Sequence, residues 1–107
     1  MTQISAAFQG QTVICTFEVT PGSAHDVIDA LSAAYEQVIS RQPGFISGAM
    51  HLNDAQTRIA TYSQWRDRRD YQAMLRSPEM RGRNREINAM CRHFEPVMYE
   101  VAGIWQS

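Results

Sequence analysis

Residues 43–71 read PGFISGAMHLNDAQTRIATYSQWRDRRDY, and this stretch sets the architecture. Phe45 to Leu52 and Thr57 to Trp65 are two strand-like runs separated by the turn signal Asn53-Asp54. So short a connection predicts an antiparallel hairpin. Pro43-Gly44 halts whatever precedes it, and Asp67 to Arg76 then fits a short helix with Asp67 and Asp70 near its positive end. The hairpin thus sits between two helical regions.

Working outward, Gln11 to Val19 alternates Val13, Cys15, Phe17 and Val19 with Thr12, Ile14, Thr16 and Glu18, the period of a strand. Thr20-Pro21-Gly22 is a turn, and Ser23 reads as an N-cap with Asp26 three residues on. The helix that follows carries Val27, Ile28, Leu31, Tyr35, Val38 and Ile39 on one stripe, and ends at Gln42-Pro43-Gly44. Beyond the hairpin, Ser77-Pro78 restarts the chain as a helix from Glu79 to about Cys91, with Met80, Ile87 and Cys91 inward. Val97 to Trp105 reads as a closing strand.

The order β-α-β-β-α-α-β is the ferredoxin-like α+β plan: a four-stranded antiparallel sheet with helices on one face and the second helix broken at Pro78. Residues 1–10 read as an N-terminal arm and 11–107 as a single domain. The uncovered sheet face is expected to hold Ile14, Ile46, Met50, Met98 and Ile104. An apolar face of this kind predicts a partner, most simply a second copy of the chain.

Composition narrows the classes. The chain has 107 residues, net charge −1, 44% hydrophobic and 20% charged residues, which excludes a solvated tail. All ten basic residues are arginine, so no lysine chemistry is available. Eight arginines fall between Arg66 and Arg92, but Asp67, Asp70, Glu79 and Glu86 are interspersed. That mixing marks a solvated helix surface rather than a nucleic-acid footprint. Cys15 and Cys91 form no C-x-x-C, and His25, His51 and His93 have no metal-ligand spacing, so no metal site is expected. Met1 to Gly10 lacks a basic start and a long apolar run; a cytoplasmic chain with two free thiols is the default.

The stretch from Pro43 to Tyr71 resembles the antibiotic biosynthesis monooxygenase family, in particular the anthrone oxygenases of aromatic polyketide pathways such as that of actinorhodin. The features are Pro43-Gly44-Phe45 opening a strand, His51 near its end, Tyr62-x-x-Trp65 closing the next, and Tyr71 six residues later. The resemblance implies a homodimer of the dimeric α+β barrel type, its sheets packed face to face, with a pocket between sheet and helices in each subunit. It also implies oxidation of a polyphenolic anthrone to a quinone by O₂, without metal, flavin or haem.

Trp65 and Tyr71 match the family's tryptophan and tyrosine and are the expected catalytic pair, facing each other across a cavity. Spacing alone favours reading them as core aromatics with satisfied N–H and O–H groups, and the resemblance reverses that preference. Thr61 shares the Trp65 strand face and stands where the anthrone oxygenases carry an asparagine. It keeps a hydroxyl and loses the amide's paired donor and acceptor. Asn84 stands where the family has an arginine, and Arg83 is the substitute that helical geometry offers; an exposed, ion-paired role is the alternative for Arg83. His51 is either an acceptor for a phenolic proton or an exposed strand-end residue.

Three rivals stay open. A haem-degrading relative would need a histidine between Asp67 and Cys91, which holds none. A same-fold isomerase, cyclase or ring-cleaving oxygenase would act on a related polyketide. A non-catalytic accessory protein would have its pocket plugged by Met74, Met80 and Met90.

Overall fold

The computed structural model describes residues 10–105 and Ser107; all but one residue of the expected arm therefore lies outside the described residues. Its elements are β1 (Gln11–Glu18), α1 (Ala24–Gln37), a short 3₁₀ turn (Ile39–Arg41), β2 (Phe45–Leu52), β3 (Arg58–Trp65), α2 (Arg68–Arg76), α3 (Pro78–Met90) and β4 (His93–Tyr99). The strands form one antiparallel sheet in the order β2-β3-β1-β4. The expected element order and sheet are present, with three helices against one sheet face.

Each helix start follows from a local device. Asp67 caps α2, its side chain accepting the Asp70 N–H at 3.0 Å. Ser77 caps α3 by accepting the Met80 N–H at 3.3 Å, and Pro78 enters the first turn, where no N–H is needed. Ser23 departs from expectation. Its hydroxyl makes no capping bond to α1 and instead accepts the Thr20 N–H at 3.1 Å, tying the turn rather than the helix. Ala24, Val27 and Ala34 in α1 are wholly buried, so the helix lies close on the sheet.

The Pro43-Gly44-Phe45 motif has a structural cause. Gly44 adopts φ +85°, a left-handed conformation that favours glycine, and a Cβ there would collide with the Asp70 carboxylate. The Gly44 carbonyl accepts the Arg66 N–H at 2.7 Å, while the Arg66 guanidinium grips Asp70 through two bonds of 3.0 and 3.1 Å. The start of β2, the end of β3 and the first turn of α2 are thereby clasped together.

Two sequence expectations are corrected. The closing strand is His93–Tyr99, not Val97–Trp105. Pairing with β1 resumes as soon as α3 ends, with Arg92 N–H donating to Glu18 O at 2.8 Å. Pro96 is tolerated because β4 is an edge strand paired only with β1. The faces of the sheet also differ from expectation. A bulge between Phe45 and Ser47 inserts Ile46, so Phe45, Gly48, Met50 and Leu52 share the helix-covered face, opposite Trp65, Ser63, Thr61 and Ile59. Met50 therefore packs toward the core. Met98 pairs with Val13, on the helix side, and Ile104 lies beyond the strand. The open face is narrower and more polar than expected, with Ile14, Tyr62, Val97 and Ala49 at its centre and Thr12, Thr16, Glu18, Gln64 and His51 around them.

Candidate active site

Four aromatic rings run in a line between the sheet and the helices. Tyr35 from α1 meets Phe45 of β2 edge-on, with centroids 6.4 Å apart. Phe45 meets Trp65 at 5.3 Å and 86°, and Trp65 meets Tyr71 of α2 at 5.8 Å and 64°. Such edge-to-face pairs fix ring positions as well as burying area. Trp65 is fully buried, and Tyr71, Met74 and Met80 nearly so. The expectation that Trp65 and Tyr71 face each other across a cavity is corrected: the rings touch, and together they form one wall.

That wall bounds a cavity of about 50 Å³, floored by β1 and β3 and roofed by the helices. Thr61, Ser63, Trp65, Tyr35, Tyr71 and Asn84 bring polar atoms to its lining, and Val13, Met74 and Met80 supply carbon. Trp65 Nε1 donates to Ser63 Oγ at 3.0 Å. The indole donor is thus already engaged, and the Ser63 hydroxyl proton is the group left to turn elsewhere. Thr61 is buried on the same strand face, one pleat away.

The titratable groups around this cavity are held neutral. Burial pushes Tyr71 up to about 12, with Cys15 and Tyr35 adding smaller contributions. Burial likewise raises Tyr35, against hydrogen bonds to Thr61 and Ser63 that pull it back. Cys15, in the floor, is pushed up to about 12 by burial first and by the neighbouring Cys91 second. At neutral pH the two phenols are therefore donors, not bases.

The structure brings together Trp65, Tyr71, Thr61 and Asn84, and separates the other two expected residues. Arg83 flanks the inward stripe of α3 but turns to α1, donating from Nη2 to Gln37 Oε1 at 2.6 Å; Asn84 takes the inward position. His51 is exposed and pairs with Ala60 on the opposite sheet face, because the bulge at Ile46 reverses the phase of β2. Reading from sequence missed Tyr35 and Ser63. The available signal was a phenol within an otherwise aliphatic stripe on α1, opposite two hydroxyls at period two on β3. Among the described residues, no three His, Cys, Asp or Glu side chains converge as metal ligands, and no helix is long and apolar enough to cross a membrane.

The profile of the antibiotic biosynthesis monooxygenase family matches residues 11–84, which contain all of these wall residues. The chain belongs to that family. Tetracenomycin-F1 monooxygenase of Streptomyces glaucescens is 32% identical over 69 residues, a match spanning 64% of this chain and 62% of that relative. Two solved structures share the fold. The monooxygenase from the gene ActVA-Orf6 of Streptomyces coelicolor, solved with nanaomycin D, superposes with TM-score 0.78 at 20% identity, covering 92% of both chains. SnoaB of Streptomyces nogalater, a cofactor-independent oxygenase, gives 0.79 at 16% identity, covering 91% of this chain and 97% of that one.

Proposed function

We propose that this antibiotic biosynthesis monooxygenase oxidises an anthrone-type aromatic polyketide to a quinone with O₂, using no cofactor, in secondary-metabolite biosynthesis. The observation that carries the reading is the convergence of a buried tryptophan, two neutral phenols, two hydroxyls and an amide around one cavity. This is a setting for a flat polyphenol and for the anion it forms.

The substrate supplies the electrons. Loss of a ring CH₂ proton gives an electron-rich enolate. One electron passes to O₂, and the substrate radical and superoxide recombine to a peroxide at that carbon. Loss of water from the protonated peroxide leaves the carbonyl: one oxygen atom enters the product and the other leaves as water. Tyr71 donates a hydrogen bond to the developing oxyanion, Trp65 walls the flat ring, and Thr61 and Asn84 orient the polar edge. Since both phenols stay protonated at neutral pH, solvent takes the proton. His51 lies on the other face of the sheet and has no part in this step.

A second copy of the chain is the occupant we assign to the open sheet face, where Ile14, Tyr62 and Val97 are half-buried and the Ser47 hydroxyl is buried without a partner. Sedimentation at twice the 12.2 kDa chain mass is the expected result. The cytoplasm is the assigned compartment.

One observation favours the accessory-protein reading. The inner cavity is far below the roughly 300–1,000 Å³ of an ordinary ligand site, and Met74 and Met80 help fill it. Oxygen uptake by chelator-treated protein with dithranol, against a no-enzyme control, separates the two. Enzyme-dependent uptake of one O₂ per quinone formed is expected. Binding without uptake would favour the accessory role.

A further inference from the structure

A second hollow lies beside the first. Between α1 and β2 runs an open cleft of about 200 Å³, bounded by Ser32, Tyr35, Glu36, Gly48, Ala49 and Met50. Tyr35 borders this cleft and also the inner cavity of about 50 Å³. Its ring lies against β2 at Gly48, where a Cβ would stand 3.1 Å from Tyr35 Cε1 and 3.3 Å from Phe45 Cζ. Its hydroxyl is turned to Thr61 and Ser63, which belong to the inner cavity.

The inner cavity alone does not admit a fused three-ring molecule, because a volume near 50 Å³ has room for only a few waters. The two are neighbours with one side chain shared between them. That side chain is a half-buried tyrosine whose hydroxyl is turned to Thr61 and Ser63 and whose ring is not closely packed on every side.

We propose that the α1–β2 cleft is the outer half of the substrate site, and that Tyr35 is the partition a planar, uncharged polyphenol displaces to span both halves. This rests on the proposed oxidation for the identity of the ligand. The reacting end enters beside Trp65 and Tyr71, and the far end stays in the cleft. Gly48 leaves the slot thin enough for a flat ring, and Ser32 offers a hydroxyl to its edge. The exposed Glu36 carboxylate at the mouth favours a hydroxyl or carbonyl there over a second carboxylate. Tyr35 is thereby a residue that sets ligand size. When the partition turns, Thr61 and Ser63 lose its hydroxyl and face the substrate instead.

The test uses a dihydroxyanthraquinone, which is planar and already oxidised, followed through the shift of its visible band. Ser32→Phe, placed on a half-exposed helix position, fills the cleft. It is expected to weaken binding about tenfold or more, while Ser32→Ala, which loses only the hydroxyl, weakens it less than about threefold, and both keep the wild-type melting temperature. Tyr35→Phe frees the partition from Thr61 and Ser63 and is expected to speed association severalfold. Equal affinity of Ser32→Phe and wild type would overturn the proposal. Binding to wild type with no oxygen uptake from dithranol would remove the oxidation reading and leave the two-part site standing. Uptake with the same KM in Ser32→Phe and wild type would do the reverse, and no binding at all would overturn both.

Discussion

Two clusters of buried side chains lie under the same sheet. One gathers Phe17, Val19, Val27, Leu31, Ile59 and Ile87, almost all carbon, with Cys15 at its edge. The other gathers Val13, Val38 and Ile39 with Trp65, Tyr71, Met74 and Met80, and carries Tyr35 and Phe45 on its flank. The first resembles any well-filled interior. The second holds indole and phenol tips, two pliant thioethers and a hollow. Burial is equally deep in both, so depth does not mark the site. What marks it is polar atoms kept at depth by specific partners, as Trp65 is by Ser63. One half is built to hold the fold, the other to hold something else.

Substitutions that separate the two halves sharpen this contrast. Ile59→Ala, in the carbon-rich half, is expected to cost about 2–5 kcal/mol of stability by leaving a void, read as a lower denaturant midpoint, with the folded fraction keeping its turnover rate. Tyr71→Phe, in the other half, should leave the midpoint nearly unchanged and lower turnover with dithranol about 100-fold. If turnover stayed within about threefold of wild type, the phenol would have no role in the reaction.

Alkaline titration should strain both halves, through Cys15 in one and Tyr71 in the other. The folded chain holds Cys15 and Tyr71 protonated up to about 12, against ordinary values of 9.0 and 10.0. The unfolded chain releases those protons first, so it binds fewer of them in that window, and stability falls as pH rises from about 9 to 12. Between pH 6 and 9, turnover should follow the ionisation of the substrate alone. The smallest effect is expected at His51. It faces away from the hollow, so His51→Ala should change oxygen uptake less than about threefold.

Much of this was legible in the sequence because its signals are local. Period-two alternation gave β1 and β3, Asp67 and Ser77-Pro78 marked two helix starts, and Asn53-Asp54 gave the hairpin. Trp65, Tyr71, Thr61 and Asn84 were reachable by resemblance, and periodicity set Trp65, Thr61 and Tyr71 on inward faces. What escaped was non-local. Whether Arg83 or its neighbour faces inward depends on where Gln37 ends α1. Tyr35 looks like one more member of an apolar stripe until Thr61 and Ser63 are set opposite it. The early start of β4 depends on Glu18 waiting across the sheet, which no window along the chain contains.

The bulge at Ile46 carries a consequence for how such proteins diversify. Strand faces are read in a two-letter frame, and one inserted residue shifts that frame for everything after it. In this chain the shifted frame turns Gly48, Met50 and Leu52 inward and sends Ser47, Ala49 and His51 to the other side. Drawing Ile46 into the ladder opposite Gln64, instead of bulging it out, would swap the sets and deliver an imidazole to the same wall with no new side chain made. Straightening one bulge in β2, with no change in chain length, is thus a short step between a wall of carbon and a wall bearing a base.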